Sequence, residues 1–246
     1  MSAIIFSGVS RSYHSKTGVI KALNQLSFEV PSGSIFGLAG INGAGKTTAI
    51  KSMLGMCTPD SGTVTINGNS PSQILPAKIG FAPEIADVPD YLSIEEVISF
   101  SCSLLDYDLD YDRLEQVLSI LELEKQAKIR TRELSKGTRQ RVSLAAAIAH
   151  DPELVVFDEP TSGLDPIGRK MVKKLLKKLK AEGKTIFFST HILTDLQEIC
   201  DYIGIIHQGS MIFSGTPAQF FDSKNHDSPE AIFESILHKN NPEQSL

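Results

Sequence analysis

The sequence predicts an α/β fold: a core built on a mixed sheet, with an N-terminal antiparallel β-subdomain and an inserted α-helical subdomain. Three observations carry that expectation. Strand patterns fill both ends of the chain. A short apolar strand at Ser34–Leu38 runs through a glycine-rich loop into a helix. Between the strand-rich ends, roughly residues 85–150 change to helical periodicity.

The elements follow in order. Ala3–Phe6 and Leu26–Val30 read as strands, and Pro31-Ser32-Gly33 is a turn signal. After the glycine loop, Lys46–Met56 reads as a helix; Pro59-Asp60-Ser61-Gly62 then turns the chain into the alternating strand Thr63–Asn67. Ser93-Ile94-Glu95-Glu96 is a capping box, in which a serine hydroxyl and a glutamate carboxylate each satisfy one orphan N–H, so a helix starts near Ile94. Asp112–Glu115 reads as a second box, after which Leu114, Val117, Leu118 and Leu121 share one helical face. Leu154–Phe157 is a buried strand. Asp165-Pro166 sets an N-cap before a proline whose fixed φ suits the first helical position, and Met171, Val172, Leu175, Leu176 and Leu179 line the inner face of the helix that follows. Thr185–Ser189 is the next strand, and residues 203–214 form a hairpin turning at Gln208-Gly209. Past Asp222 the chain turns polar. The main domain is expected to span residues 1–222, with the helical subdomain at about 85–150. Residues 223–246 form a tail with a short helix at Glu230–His238 and a frayed end.

Length and charge bound the function. The 246 residues carry 41% hydrophobic side chains and a net charge of -5, which suits one large domain or one domain with an insertion. Nothing global marks the basic face of a nucleic-acid binder, so no nucleic-acid partner is expected. Cys57, Cys102 and Cys200 lie far apart without metal-like spacing and read as reduced thiols. No basic start followed by an apolar core marks a signal peptide, and no stretch approaches ~18 apolar residues, so a role at a membrane requires another protein to hold the chain there. Asp106, Asp108, Asp110 and Asp112 alternate, but a Ca²⁺ loop would need Gly and Glu where Tyr111 and Val117 stand; the run reads as a solvated acidic loop. Arg169, Lys170, Lys173, Lys174, Lys177, Lys178 and Lys180 read as the solvent face of a packed helix.

Two stretches carry chemistry. Gly40-Ile41-Asn42-Gly43-Ala44-Gly45-Lys46-Thr47 fits G-x-x-x-x-G-K-[ST] between a strand and a helix, the local context of a P-loop NTPase core. Glycines let successive N–H groups curl toward one anion, and the helix adds its positive end. Lys46 would reach the β- and γ-phosphates, Thr47 would offer a hydroxyl to Mg²⁺, and Thr48 would donate to the α-phosphate. This motif alone does not choose among kinases, GTPases and motor ATPases. Leu154–Phe157 ends in Asp158-Glu159, two carboxylates that are costly to hold together unless a cation or a proton relay uses them. Asp158 is placed to hold Mg²⁺ and Glu159 to orient or deprotonate the water that attacks the γ-phosphate.

With these residues in place, a family resemblance emerges. Leu134-Ser135-Lys136-Gly137 followed by Gln140-Arg141 resembles the signature of ATP-binding-cassette (ABC) proteins, just upstream of the carboxylate strand as in that family. Ser162-Gly163-Leu164-Asp165 looks like the D-loop, His191 like the switch histidine, and Phe81-Ala82-Pro83-Glu84 stands where the Q-loop belongs. Tyr13 is similar to the adenine-stacking aromatic. The resemblance covers roughly residues 3–220, with the motifs in family order. It implies an ATPase whose catalytic residues are Glu159 and His191, binding ATP and Mg²⁺ with Thr47, Asp158 and Glu84 near the metal. Two copies, of this chain or of it and a close paralogue, would pair head to tail, with Ser135 and Gly137 of one touching the γ-phosphate held at Lys46 of the other. It further implies a separate multi-span membrane permease, a location in the cytoplasm on the inner face of the cell membrane, and export in the style of drug, lipid or polysaccharide exporters. A soluble ABC-type ATPase serving cluster assembly or another non-transport role is the alternative. The sequence departs from the pattern at Glu84, where the family usually has Gln, and at Lys136 and Thr138, where many members have Gly and Gln.

Overall fold

A computed structural model describes residues 1–15 and 18–221; the expected helix at Glu230–His238 lies outside them. In chain order the elements are β1 (Ser2–Ser15), β2 (Gly18–Pro31), β3 (Ile35–Ala39), α1 (Lys46–Met53), β4 (Ser61–Ile66), β5 (Ile79–Ala82), α2 (Ile94–Ser103), α3 (Tyr111–Ile120), α4 (Lys136–Ala149), β6 (Leu154–Phe157), α5 (Pro166–Ala181), β7 (Thr185–Thr190), α6 (Leu193–Ile199), β8 (Tyr202–His207), β9 (Ser210–Gly215) and α7 (Pro217–Phe221). The chain divides into two compact units: Met1–Gln73 with Ser189–Leu246, and Ile74–Phe188.

In the first unit β1 pairs antiparallel with β2 on one side and β4 on the other, with Ile4 opposite Val30 and Ile66. Ile4 and Phe6 are buried on β1, and Leu26, Phe28 and Val30 on β2, the period-two burial of a sheet with one face covered; Val9 is buried out of that phase because the register shifts between Phe6 and Val9. Both strands run well beyond the stretches read from the sequence. β1 continues through polar Ser10 to Ser15 because pairing with β2, down to Tyr13 opposite Ile20, satisfies the backbone whatever the side chains. β3 is buried throughout and pairs in parallel with β8, while β9 joins β8 antiparallel, which makes the sheet mixed. Phe28 stacks on Phe6 at 4.5 Å and on Phe36 at 5.4 Å, joining the antiparallel sheet to β3. Burying each such ring contributes about 1.5–3 kcal/mol. Helix α1 ends at Met53 rather than Met56, because the N–H groups of Met56 and Cys57 turn back to the Lys51 carbonyl. α6 packs on β3 and α7.

In the second unit β5, β6 and β7 pair in parallel, with Phe81 opposite Val156 and Val156 opposite Phe187. α4 packs against β5, α2 and α3. This unit is wider than the helical stretch alone, since it includes strands on either side of it. Helix α2 starts at Ile94 with both halves of the box made: the Glu96 N–H donates to Ser93 Oγ (3.3 Å) and the Ser93 N–H to Glu96 Oε2 (2.7 Å). The Ser93 backbone N–H and, after it, the Ser93 hydroxyl hold the Glu96 carboxyl below its ordinary range. The second box is corrected. α3 starts at Tyr111 and its cap is Asp110, whose carboxylate accepts the Arg113 N–H at 2.7 Å; Glu115 instead accepts the Tyr111 hydroxyl at 2.5 Å. Val117, Leu118 and Leu121 are buried as the periodicity predicts, and Leu114 is half-buried. α5 starts at Pro166 behind Asp165, with Met171, Val172, Leu175, Leu176 and Leu179 inside. Of the three thiols, all free, Cys102 is buried and its pKa is pushed up to about 11 by desolvation.

Candidate functional site

The first unit holds the phosphate loop. β3 ends at Ala39, and the Gly40 N–H donates to the Thr190 carbonyl at 3.4 Å, so the loop leaves the sheet beside the end of β7. Gly45, at φ 112, is the N-cap of α1, and a Cβ there would stand 2.5 Å from the Ala22 carbonyl oxygen; only glycine lets the chain enter the helix at this angle. Lys46 is only 6% exposed, and its Nζ donates to the carbonyls of Gly40 (2.7 Å) and Ile41 (3.3 Å). A buried ammonium is thereby held at the centre of the loop. Ile41, Asn42 and Gly43 are exposed along the rim, and Ala44 is buried beneath. Thr47 and Thr48 follow in the first turn of α1, Thr47 exposed and Thr48 half-buried. A helix N-terminus, a strand-end glycine loop and one ammonium fit a triphosphate, and the adjoining hydroxyl of Thr47 would suit a hard cation that accompanies it.

Two other predicted residues lie in the same unit. His191 is exposed and follows Thr190, whose carbonyl receives the Gly40 N–H. Tyr13 is 38% exposed near the end of β1. The Arg11 guanidinium lies over its ring at 5.2 Å, and the same guanidinium donates to the Thr58 carbonyl (3.0 Å) and to Asp60 (2.8 Å). Asp60 also accepts the Ser12 N–H at 2.7 Å, and these donors lower its carboxyl pKa, the backbone N–H foremost. Sequence reading missed Arg11, which is recognisable only once β1 and the segment after α1 are folded together.

The second unit holds the carboxylates. The Asp158 N–H donates to the Ala82 carbonyl at 2.9 Å, extending the β5–β6 pairing to the end of the strand. Asp158 and Glu159 are 3% and 4% exposed. Glu159 adopts φ 49, a left-handed conformation that costs a non-glycine residue about 1–2 kcal/mol and that clusters at functional sites. Its carbonyl accepts the Ser162 N–H at 2.9 Å, closing the turn into the Ser162–Asp165 segment. Glu84 is exposed two residues past the end of β5, so it and the carboxylate pair leave adjacent strand ends. Gln140 of α4, 4% exposed, reaches the Pro83 carbonyl in a long contact of 3.5 Å.

The same unit brings the signature and D-loop residues to one cleft of about 420 Å³, lined by Ser135, Gly137, Thr138, Arg141, Gly163 and Asp165. Leu134 stands just before the cap and Lys136 opens α4. Ser135 caps the helix, its Oγ accepting the Thr138 N–H at 3.2 Å. Asp165 caps α5 by accepting the Gly168 N–H at 2.7 Å. At the other end of α4, Arg113 donates through Nε to the Ala149 carbonyl (3.1 Å) and through Nη2 to the Ile148 carbonyl (2.8 Å), the latter also accepting the Asp151 N–H at 3.2 Å. A second groove, of about 420 Å³, lies between β5, α2 and α4; Phe81, Val88, Val97, Phe100, Leu104 and His150 line it. Burial lowers the His150 pKa. Phe100 and Leu104 are 48% and 68% exposed at its lip.

Comparison with known proteins identifies the family. Residues 23–162 match the ABC transporter family. An uncharacterized ABC transporter ATP-binding protein of Synechocystis sp. is 40% identical over 206 residues, covering 81% of this chain and 58% of its own length. The Nod factor export ATP-binding protein I of Rhizobium etli is 38% identical over 231 residues, covering 90% of this chain and 71% of its own. This chain therefore spans between about half and three quarters of the two relatives it matches. Among solved structures, the ATP-binding cassette MJ0796, a dimer in a post-hydrolysis state bound to ADP and Pi, superposes with a TM-score of 0.79 at 24% identity, covering 87% of this chain and 98% of that one. That likeness shows a shared fold.

Proposed function

Because this chain belongs to the ABC transporter family, we propose that it is an ATP-binding and ATP-hydrolysing subunit, and that it powers export through a separate membrane-spanning partner. The observation that carries the nucleotide reading is the buried Lys46 ammonium held by the Gly40 and Ile41 carbonyls at the N-terminus of α1. A buried ammonium beside a helix N-terminus suits the anionic oxygens of a triphosphate.

The roles follow from chemistry. Gly40–Thr48 hold the triphosphate through backbone N–H groups, Lys46 and the first turn of α1. Tyr13, backed by Arg11, offers a ring face to the base. Glu159 accepts a proton from the attacking water or orients it, and its left-handed backbone sets the direction of the carboxylate. His191 senses the γ-phosphate. Thr47, Asp158 and Glu84 would supply oxygen donors for Mg²⁺, which would neutralise charge on the phosphate oxygens. Ser135 and Gly137 face the nucleotide of a second copy or a close paralogue in a head-to-tail dimer, and hydrolysis reopens that dimer. The dimeric state of the MJ0796 cassette supports the pairing, and the name of the Rhizobium etli relative supports export.

No described helix is long and apolar enough to cross a membrane. The groove lined by Phe81, Phe100 and Leu104 is the place where a cytoplasmic segment of the membrane partner docks, with Glu84 at the adjoining strand end. The chain then works on the inner face of the membrane. Residues 1–222 act as the ATPase domain and 223–246 as an appended tail.

Phosphate release by the purified chain tests the reading. Glu159→Gln is expected to lower turnover by about 10²–10⁴ while retaining ATP binding, and Lys46→Ala to lose both. Turnover unchanged in Glu159→Gln would refute the assignment of the base. A detergent pull-down from native membranes tests the partner: recovery of a multi-span protein supports export, whereas recovery of soluble assembly factors alone removes the transporter reading and leaves the ATPase.

A further inference from the structure

Thr138 stands where many family members carry Gln, and its surroundings give the difference a purpose. Its side chain is 6% exposed. Arg141 Nη2 donates to Thr138 Oγ1 at 3.2 Å. Thr138 Oγ1 lies 3.0 Å from Ser135 Oγ, and Ser135 Oγ also accepts the Thr138 N–H at 3.2 Å. Ser135 itself is exposed at the mouth of the cleft.

Proton counting gives this chain a direction. A guanidinium only donates, so Thr138 Oγ1 accepts from Arg141. That donation polarises the threonine O–H and makes it the better donor toward Ser135. Ser135 Oγ, accepting from both the Thr138 hydroxyl and its N–H, keeps its single proton for whatever lies in front of the helix. Reversing the Ser135–Thr138 bond would point a serine lone pair at that place, which suits a cation and not a phosphate.

We propose that Thr138 is a positioning residue that relays Arg141 to Ser135, so that the Ser135 hydroxyl is oriented as a donor to the γ-phosphate carried by the opposing copy. Arg141 is in turn anchored by the carbonyls of Leu121 and Glu122 at 3.3 and 3.4 Å, behind α3. The relay therefore runs from the body of the helical region to the tip of the signature. The inference rests on the reading that Ser135 faces the partner's nucleotide.

The test uses the full chain in a Glu159→Gln background, which holds the closed dimer. Sedimentation velocity gives the ATP concentration at which half the protein dimerises. Thr138→Val, which keeps the shape and loses the hydroxyl, is expected to raise that concentration about five-fold, and Thr138→Ser to restore it to within about two-fold of the parent. ATP affinity of the monomer, measured below the dimerising protein concentration, stays unchanged in both, which separates relay from general damage. Should Thr138→Val melt early, Thr138→Ala is expected to give the same upward shift. Ser135→Ala distinguishes the two levels of the argument. No shift with Ser135→Ala overturns the underlying reading of the signature. A shift with Ser135→Ala and none with Thr138→Val or Thr138→Ala overturns the relay alone.

Discussion

The phosphate loop and the signature cleft both stand at helix N-termini and are both proposed as anion sites, yet they are built in opposite ways. At the loop the backbone is the device. Gly45 sits at φ 112 under the Ala22 carbonyl, and Lys46 is pinned by two carbonyls of the loop it serves. At the cleft the backbone is an ordinary helix start, and the device is a chain of side chains: Ser135, Thr138 and Arg141. A site made of backbone tolerates almost no change at its glycines, whereas a site made of hydroxyls and guanidinium groups can be retuned one residue at a time. The departures at Lys136 and Thr138 fall in the second kind of site, where substitution alters strength without dismantling the shape.

The sharpest way to break the comparison is Gly45→Ala. The added Cβ meets a backbone oxygen at 2.5 Å in a conformation that L residues rarely adopt. The expected cost is about 3 kcal/mol of stability together with at least a ten-fold loss of ATP affinity. Chemical denaturation and equilibrium binding measure the two, and ATP binding at the parent affinity would show that the loop does not depend on its backbone.

A smaller effect is expected at the far end of the signature helix. Arg113→Ala takes the guanidinium donor from the Ile148 and Ala149 carbonyls, of which Ile148 keeps the Asp151 N–H at 3.2 Å, at a cost of about 1–2 kcal/mol, seen as a lower melting temperature. Nucleotide affinity at the phosphate loop should not move.

The smallest effect is a pH dependence near Tyr13. The Ser12 N–H and the Arg11 guanidinium lower the Asp60 pKa below its ordinary value of 3.8. A carboxyl lowered on folding contributes stability that is present above 3.8 and lost as the pH falls through the folded value. Asp60→Asn should flatten that part of the acid denaturation curve, read by comparing unfolding midpoints at neutral pH and below pH 3.8. An unchanged acid limb would mean that the Arg11–Asp60 pair, at 2.8 Å, contributes nothing beyond geometry.

Legibility followed the range of the interactions. Ser93 and Glu96 form their box as read, and Asp165 caps Pro166–Ala181 as read, because both ends of each bond lie within four residues. The second box failed for a related reason. Asp110 and Asp112 both stand the right distance from a plausible N–H, and the choice went to Asp110 while Tyr111 took the Glu115 carboxylate. β1 and β2 were read too short: the polar second half of β1 is held by pairing with β2 and leaves no apolar signal, and the reading passed over the apolar Val19, Ile20, Ala22 and Leu23 of β2.

By itself, then, the sequence determined the class of fold, the order of its elements and the glycine-lysine loop, because backbone conformational limits and hydrophobic periodicity are local properties. Only the tertiary structure decided that Glu159 would take a left-handed backbone, that Arg11 would lie between Tyr13 and Asp60, and that Arg113 would close the end of α4. Each of these depends on groups brought together by the packing of the whole chain, and a hydrogen bond between residues tens of positions apart leaves no mark in spacing or composition.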